Sequence, residues 1–514
     1  MQVHKLRSWF IVISLLLIPA GAILASAPPA DTRAATTYIQ IDGGDEDHSC
    51  AITSGNELRC WGNNHRRVLG VDSTWIVAST VPLSVEGLDP TILQVSAGRS
   101  HSCAVDTHAY AWCWGDNHDG ALGNGGNESS DTPVQVSGSI AFEQISAGTD
   151  LTCALDTGGK AYCWGFGELG QIGNGQYAST NLPTAVTGLA ANTRAIAVGG
   201  SHACAINDFG GAVCWGFNYY GQLGDGTNTM KNLPATVLWD ESDFVQLSAG
   251  SNFTCGLTED GAVKCWGYNG AGQLGNGTNS NSNVPVDVIG MDSGVEAIAA
   301  GFAHVCALKG EQIWCWGSNY DGELGDGTYG GYQSTPVQVQ GLTGFRLGGV
   351  AASGGYSCAL TEFGRIKCWG SNFDGQLGAG TYSEYSTTPL NVVATEGTIS
   401  GAVLYPGFDR DEPLWNTIYV RAALTPGGPA VLTAPVYPGY VYLFKDLTPG
   451  SYYVGAFMDL DDSGPVPGDH EYLTWYDGNM DGTPDPLVLT SELEIRGINI
   501  ILQRGLVYLP VIVR

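Results

Sequence analysis

Seven pairs of cysteines, each followed by the same dipeptide, constrain the fold of this chain more than any other feature. All 14 cysteines fall into these pairs, and every second cysteine precedes Trp-Gly. The pairs are Cys50 with Cys60, Cys103 with Cys113, Cys153 with Cys163, Cys204 with Cys214, Cys255 with Cys265, Cys306 with Cys315, and Cys358 with Cys368. First cysteines recur every 50 to 53 residues. One structural unit of this length is therefore repeated seven times.

Each pair is predicted to face across a β-hairpin. In the fifth unit, apolar alternation runs into and out of a short turn, which makes Glu259-Asp260-Gly261 the loop. The last residue of a three-residue hairpin loop is left-handed, and glycine takes that conformation without strain. Four units carry glycine there and the first carries Asn56, whereas Ala109 in the second unit departs from the rule.

Facing cysteines predict seven cross-strand disulfides. Directly opposed residues of an antiparallel pair have Cα atoms roughly 4.5–5.5 Å apart, which a disulfide accepts. In the sixth unit the cysteines are nine residues apart, and the two-residue turn Gly310-Glu311 still lets them face each other. A zinc site or buried free thiols are the alternatives. Zinc would need ligands from two units or from histidine, and no C-x-x-C spacing occurs.

The first 27 residues are typical of a secretory signal peptide. Lys5 and Arg7 precede the apolar run 9–18, and Ala25-Ser26-Ala27 offers a cleavage site. We expect residues 28–37 to form a linker. Export to an oxidising space agrees with the disulfides, and no later apolar stretch is long enough to span a membrane. The mature protein is therefore expected to be extracellular or at the cell surface.

The formal net charge of −29 argues against nucleic acid as a ligand, because phosphate backbones repel such a chain. Solubility outside the cell is the other interpretation of this acidity. The 74 glycines and the short alternating strands predict an all-β protein.

Residues 38–395 are predicted to form a seven-bladed β-propeller with four short strands in each unit. The third unit begins with the strand 142–148, and fourth strands are expected to start at proline, as in Pro133-Val-Gln-Val136, Pro285-Val-Asp-Val288 and Pro336-Val-Gln-Val339. A β-solenoid is the alternative architecture, although its turns are usually shorter.

A second signature lies between Trp-Gly and the proline, as in Gly221-Gln-Leu-Gly-Asp-Gly226 and Gly272-Gln-Leu-Gly-Asn-Gly277. With the elements Ala-Gly-x-x-His-x-Cys-Ala-Leu and Cys-Trp-Gly-x-Asn, it resembles the regulator-of-chromosome-condensation repeat family, which implies a seven-bladed propeller. The resemblance constrains function much less. The founding member is a nuclear exchange factor, a role that a secreted acidic chain does not suit, and secreted bacterial relatives look like protein-binding propellers.

Residues 396–504 lack cysteine and change character. The segment Leu447-Thr-Pro-Gly-Ser-Tyr-Tyr-Val454 resembles the carboxypeptidase-regulatory, transthyretin-like β-sandwiches, which implies a small accessory domain without catalytic residues. Residues 505–514 form an apolar tail that is too short to span a bilayer.

Two acidic loops of this segment could bind calcium. Oxygen-bearing side chains stand at positions one, three and five, with glycine at six, as in the first half of an EF-hand loop. These residues are Asp459, Asp461 and Ser463 in one loop and Asp477, Asn479 and Asp481 in the other. Neither loop has glutamate at position twelve, and ordinary turns are the alternative. No other cofactor is expected.

The sequence contains no G-x-S-x-G or H-E-x-x-H motif, and four histidines at one repeated place, two residues before a first cysteine, are interpreted as structural. What varies is the residue after the asparagine of Cys-Trp-Gly-x-Asn. Equivalent loops should emerge on one face, so these residues would form a rim rich in aromatic rings and histidine, which binding surfaces favour. The candidates are His65, His118, Tyr219, Tyr320 and Phe373. The alternative is that these rings cover neighbouring blades.

We therefore expect a secreted, non-catalytic module that binds an extracellular protein or glycan on one propeller face. An extracellular polysaccharide lyase or hydrolase and a structural cell-surface protein are the alternatives. Clustered carboxylates with histidine or tyrosine at a channel mouth would favour the enzyme, whereas an uncharged aromatic rim would favour binding.

Overall fold

The computed structural model describes residues 36–393, apart from 46, 72–75, 89–90, 190 and 240–243, and eight strands further along the chain. The predicted signal peptide, both predicted calcium loops and the apolar tail lie outside the described residues. Within the described part of the chain, no helix is long and apolar enough to cross a membrane.

Twenty-eight strands form seven antiparallel four-stranded sheets, and each sheet consists of four consecutive strands. We call these sheets blades 1 to 7. Their strands are β1 Tyr38–Gly44, β2 His48–Thr53, β3 Leu58–Asn63, β4 Ala78–Ser84; β5 Ile92–Ala97, β6 His101–Asp106, β7 Ala111–Gly115, β8 Ser130–Gln135; β9 Phe142–Ala147, β10 Leu151–Asp156, β11 Ala161–Gly165, β12 Thr180–Ala185; β13 Ala195–Val198, β14 His202–Ile206, β15 Ala212–Gly216, β16 Lys231–Thr236; β17 Phe244–Ala249, β18 Phe253–Thr258, β19 Val263–Gly267, β20 Ser282–Asp287; β21 Val295–Ala300, β22 His304–Lys309, β23 Gln312–Ser318, β24 Tyr332–Gln338; β25 Leu347–Ala352, β26 Tyr356–Thr361, β27 Ile366–Ser371 and β28 Tyr385–Asn391.

The first strands of the seven blades surround a central channel. Each first strand contacts the first strand of the next blade, and β25 of blade 7 contacts β1 of blade 1, so the ring is closed. At that closure the amide of Tyr38 donates to the carbonyl of Gly364 at 2.8 Å. The predicted all-β, seven-bladed propeller is confirmed.

All seven predicted disulfides are present, and the described residues contain no free cysteine. The bonded pairs are Cys50 with Cys60, Cys103 with Cys113, Cys153 with Cys163, Cys204 with Cys214, Cys255 with Cys265, Cys306 with Cys315, and Cys358 with Cys368. The two cysteines of a pair are opposite each other in the hairpin register, with Cα atoms 4.1 Å apart in the fifth blade. The two-residue turn of blade 6 keeps the same pairing, with Gly310 at φ +61°. These bonds tie the second and third strands of every blade together.

Ala109 adopts the left-handed conformation that glycine provides in other blades, with φ +65°. Its amide donates to the carbonyl of Asp106, and its carbonyl accepts the amide of Phe142 at 2.8 Å. The Asp106 carboxylate also accepts the amides of His108 and Tyr110 at 2.8 and 2.9 Å. The surrounding hydrogen bonds therefore hold an alanine in a conformation that costs roughly 1 kcal/mol.

The predicted start of the fourth strands was wrong. β8 begins at Ser130 and β20 at Ser282, each three residues before the proline, and β24 begins at Tyr332. In blade 2 the register shifts between Cys113 and Gly115, opposite the proline-containing segment. Proline costs no ladder bond there, because the fourth strand is the outer edge of its blade and one row of its amides faces away from the sheet.

Seven buried tryptophans join neighbouring blades. The tryptophan after each second cysteine is fully buried, and its indole N–H donates to a backbone carbonyl in the loop of the preceding blade. Trp164 of blade 3, for example, donates to Ala121 at 2.9 Å. Trp61 of blade 1 donates in the same way to Gln376 of blade 7 at 2.8 Å, so the closing contact repeats the other six.

A polar relay crosses most of the same interfaces. The Nε2 atom of His101 lies 2.7 Å from the Thr152 hydroxyl, which donates to the carbonyl of Ala121 at 2.8 Å. The hydroxyl therefore accepts from Nε2–H, and His101 is neutral with its Nδ1 atom buried and without a hydrogen-bond partner. Equivalent pairs are His48 with Ser102, His202 with Thr254, His304 with Ser357 and, at the ring closure, Tyr356 with Ser49.

The two remaining interfaces are apolar on both sides. Leu151 occupies the histidine position of blade 3, and Ala203 occupies the hydroxyl position of blade 4. In blades 5 and 6 the same two positions are occupied by Phe253 and Val305. A hydroxyl thus occurs only where the preceding blade supplies histidine or tyrosine. The interpretation of the repeated histidines as structural agrees with this burial.

Eight further strands are described after residue 398: β29 Ile399–Leu404, β30 Ile418–Ala423, β31 Ala430–Val436, β32 Val441–Phe444, β33 Gly450–Met458, β34 Tyr472–Trp475, β35 Leu487–Leu489 and β36 Ile500–Ile501. They pair in the orders β32–β29–β36 and β31–β30–β33–β34, with β35 also beside β33. Their packing into a β-sandwich stays a prediction.

Candidate functional site

The loops after the first and third strands of every blade emerge on one face of the propeller, which we call the rim face. Because the strands alternate in direction, the hairpins between second and third strands lie on the opposite face, the hairpin face. The long loops after the third strands carry the predicted binding residues. The rim face therefore carries the candidate site.

A buried asparagine organises most of these long loops. Asn218 is fully buried, its side-chain oxygen accepts the amide of Leu223 at 3.0 Å, and its amide group donates to the carbonyls of Thr227 and Thr229. The same side-chain oxygen contact recurs in six blades, from Asn64, Asn117, Asn218, Asn269, Asn319 and Asn372. Blade 3 carries Gly167 instead. These hydrogen bonds fix the backbone of the loop, and with it the position of the rim residue that follows the asparagine.

All five predicted rim residues are exposed. Tyr219, Tyr320 and Phe373 expose 69, 65 and 59% of their surface, and His65 and His118 are also exposed. The alternative, in which these rings cover neighbouring blades, does not describe these three aromatic side chains. Their part in binding stays a prediction.

The rim loops of blades 4 and 5 carry a continuous aromatic cluster. Phe217 and Tyr219 stack with ring centroids 6.4 Å apart, Tyr219 meets Tyr220 at 5.1 Å, and Tyr220 meets Tyr268 of blade 5 at 4.9 Å. We call these four residues the tyrosine cluster. Sequence reasoning found only Tyr219, because the others lie outside the single variable position.

Gly270 occupies the rim position of blade 5, and the ring of Tyr268 explains why. A Cβ atom on Gly270 would lie 2.1 Å from the hydroxyl oxygen of Tyr268 and 2.5 Å from its Cζ. The tyrosine ring thus lies over the glycine and replaces the side chain that the rim position lacks.

The rim loops of blades 1 and 2 carry charges instead. Arg66 contacts Asp116 at 2.9 Å across the two blades, and His118 also contacts Asp116. Burial alone would raise the pKa of Asp116, but hydrogen bonds from His118 and Arg66 lower it below its usual value. The same contact raises the pKa of exposed His118. His65 and His118 therefore lie in the charged loops of blades 1 and 2, whereas the tyrosine cluster lies in the loops of blades 4 and 5.

Four carboxylates from blades 1, 6 and 7 lie within electrostatic range of one another on this face. Burial first, and then the charges of Asp374, Asp321 and Asp45, raise the pKa of Asp47 to about 6. Asp47 also has a left-handed backbone, with φ +63°. Tyr320 and Phe373 directly precede Asp321 and Asp374. The rim face thus combines an uncharged aromatic region with an acidic one.

The central channel offers about 300 Å³ and is lined mostly by strand backbone and small side chains. The Asp42 carboxylate accepts the amides of Gly43 and Ala97 at 3.0 Å, and burial raises its pKa to about 6. Four glutamines each bond to the backbone of the next blade: Gln40, Gln94, Gln144 and Gln246. Asp42 and these four glutamines are therefore engaged in joining blades.

Comparisons with known proteins agree with this architecture. Residues 24–346 match the RCC1-like domain, and residues 349–376 match the regulator of chromosome condensation (RCC1) repeat. The human E3 ubiquitin-protein ligase HERC2 is 27% identical over 384 residues, 73% of this chain and 7% of HERC2. The ultraviolet-B receptor UVR8 of Arabidopsis thaliana is 28% identical over 338 residues, 65% of either chain. The chain thus spans less than two thirds of these relatives.

Solved structures show the same fold. Human WBSCR16 superposes with a TM-score of 0.60 at 23% identity, covering 66% of this chain and 94% of WBSCR16. Prp20p of Saccharomyces cerevisiae, described with binding properties to Gsp1p and histones, superposes with a TM-score of 0.60 at 21% identity, covering 70% and 87%. Since the RCC1-like match covers more than half of the sequence, this chain belongs to the RCC1-like repeat family.

Proposed function

We propose that this protein is a secreted binding module that holds an extracellular partner on its rim face. The observation that carries the proposal is the set of exposed rings at Tyr219, Tyr320 and Phe373, each presented by a loop with a buried asparagine. Aromatic side chains are enriched in binding surfaces because they bury a large area at low cost in conformational entropy. Rigid loops reduce that cost further.

The extracellular location is supported by the disulfides. Every cysteine of the chain is paired, and such bonds persist in oxidising compartments and are rare in the cytosol. The predicted signal peptide at 1–27 also indicates an extracellular location. Analysis of the mature N-terminus would test it, since retention of residues 1–27 contradicts export.

The partner is a protein or a glycan. Yeast Prp20p is described bound to Kap60 and with binding properties to Gsp1p and histones, which supports a protein partner for a propeller of this fold. The acidic balance of this chain argues against nucleic acid.

Affinity capture with matched variants tests the proposal. The full mature chain is immobilised and exposed to extracellular fluid and cell-surface extract of the source organism. A variant with Tyr219, Tyr320 and Phe373 changed to alanine should lose the captured partner. A second variant with Tyr110, Phe209 and Phe363 changed to alanine removes exposed rings of the hairpin face and should keep it. Equal capture by both variants would reject the rim face.

An extracellular polysaccharide-degrading enzyme is the second candidate, and Asp47 is the observation that favours it. A carboxyl group with a pKa near 6 is suited to general acid catalysis near neutral pH, and Asp321 and Asp374 lie within electrostatic range. Asp47→Asn should then abolish any release of reducing ends from added polysaccharide. Absence of such release by the unaltered protein counts against the enzyme.

Residues 396–504 are proposed to form an accessory β-sandwich that spaces or docks the propeller, with calcium in the loops of Asp459 and Asp477. Calorimetric titration of the full chain with calcium tests the second part. No heat of binding and an unchanged melting temperature would contradict it.

A further inference from the structure

We infer that the tyrosine cluster of blades 4 and 5 is a subsite for an uncharged polysaccharide chain. The inference rests on the proposed binding function and names the class of partner for one part of the rim face.

The two loops that carry the cluster are almost free of charge, although the chain as a whole carries −29. Residues 268–282 contain no charged residue, and residues 217–231 contain only Asp225 and Lys231. Those two side chains lie 3.4 Å apart, and the Asp225 carboxylate is nearly buried. Apart from this ion pair, the two loops carry no charge that would attract an ionic partner. The acidic remainder of the protein would repel an anionic polymer.

The four rings form a stepped surface rather than a flat one. Tyr219 and Tyr220 are nearly perpendicular at 87°, and Tyr220 meets Tyr268 at 61°. Tyr219 and Tyr268 are exposed, at 69 and 36% of their surface, while Tyr220 is half-buried. A sugar ring has an apolar C–H face that packs on the electron-rich face of an aromatic ring. Exposed rings in neighbouring blades therefore suit successive sugars of one chain.

Amide groups flank these rings. Asn228 is exposed, and its amide donates to the carbonyl of Tyr219 at 2.9 Å, while its side-chain oxygen accepts from Asn283 at 3.2 Å. In blade 5, exposed Asn279 donates to the carbonyl of Gly270 at 3.3 Å. Amides beside aromatic rings are the combination that recognises hydroxyl groups at the edge of a sugar and its apolar face together.

Gly270 makes this arrangement specific. Its missing side chain leaves the space that the Tyr268 ring fills, and its backbone is in an ordinary region, which alanine tolerates. Gly270→Ala would force the Tyr268 ring out of its place without removing any aromatic group. A subsite that depends on ring positions should respond to this change, whereas an unspecific apolar patch should not.

Affinity electrophoresis of the full chain tests the inference. Native gels contain hydroxyethyl cellulose, galactomannan or dextran as uncharged polymers and alginate as the anionic polymer. We expect at least one uncharged polymer to retard the protein and alginate not to. Tyr219→Ala and Gly270→Ala should weaken the apparent affinity at least about fivefold. Gly126→Ala in the rim loop of blade 2, where an added Cβ meets only a side-chain oxygen at 3.5 Å, should leave it unchanged.

Three results would overturn the inference: no retardation by any uncharged polymer, stronger retardation by alginate, or equal retardation of Gly270→Ala and the unaltered protein. Thermal unfolding of each variant shows whether it is folded. If the polymers fail while the rim-face variant still loses a captured protein, the proposed binding function stands and the glycan subsite does not.

Discussion

The relay between His101 and Thr152 makes a quantitative prediction about how neighbouring blades are joined. The perturbation is a double-mutant cycle of Thr152→Ala, His101→Leu and their combination. The combination copies the natural interface between blades 3 and 4, where Leu151 and Ala203 occupy the two positions. That interface keeps its tryptophan contact, in which Trp215 donates to the carbonyl of Gln171 at 2.8 Å.

The hydrogen bonds lost in each variant set the expected loss in free energy of unfolding. Thr152→Ala removes the acceptor of the buried His101 Nε2–H, and an unsatisfied buried donor costs about 1–3 kcal/mol. His101→Leu leaves the Thr152 hydroxyl bonded to Ala121, so it loses one hydrogen bond, about 1 kcal/mol. The double variant leaves no donor unsatisfied. It should therefore be destabilised less than the sum of the single variants, with a coupling free energy of at least about 1 kcal/mol.

Guanidinium unfolding with intact disulfides, followed by tryptophan fluorescence, measures the free energy of unfolding of the unaltered protein and of the three variants. Similar dependence on denaturant in all four proteins is needed for the comparison. Single-variant effects that add within about 0.3 kcal/mol would show that the two residues do not act as a unit, and the relay would then have no energetic meaning.

Acidification from pH 7 to 5 should lower the melting temperature. Burial lowers the pKa of the four relay histidines, to about 4 for His101, so below pH 6.5 the unfolded chain takes up protons that the folded chain excludes, and stability falls by up to about 1.4 kcal/mol per pH unit for each histidine. Asp42 and Asp47, whose pKa burial raises to about 6, take up protons in the folded chain and oppose this loss, but they are two groups against four. The double variant of His101→Leu with Thr152→Ala should lose less stability than the unaltered protein. Ala109→Gly should raise the free energy of unfolding by about 0.5–1 kcal/mol, because relief of backbone strain exceeds the added freedom of the unfolded chain. Gly310→Ala, where an added Cβ meets nothing within 4 Å, should lower it by a similar amount, and equal signs for the two changes would contradict the strain argument. Thiol labelling under denaturing conditions should find almost no reactive cysteine before reduction and all 14 afterwards.

The sequence predicted the hairpins and disulfides well because their signal is local. The spacing of Cys255 and Cys265 and the turn glycine fix one register, and the structure has that register. The fourth strands were placed too late, because proline was taken as a strand's first residue, whereas an edge strand accepts Pro133 in its interior.

Contacts between blades were not predicted, although a signal for one of them exists. Comparing neighbouring units shows that Ser or Thr precedes the first cysteine only after a unit with His or Tyr, as Thr152 follows His101. A single unit cannot show this, because the two partners lie about one repeat apart. The tyrosine cluster was missed because Phe217, Tyr220 and Tyr268 lie outside the single variable position, and because Tyr268 reaches its place only where Gly270 leaves room.

The ring closes without a strand borrowed from the other end of the propeller, and this has a consequence for the order of its blades. Trp61 and Gln376 make the contact that every other neighbouring pair makes, and all four strands of blades 1 and 7 are consecutive. The closure between β28, which ends at Asn391, and β1, which begins at Tyr38, is thus comparable to the six other connections between neighbouring blades. A circularly permuted propeller, opened within the connection 136–141 and joined at the present break by a connection of that length, should keep its blades and disulfides. The break in the ring could then lie at another of the seven connections between blades.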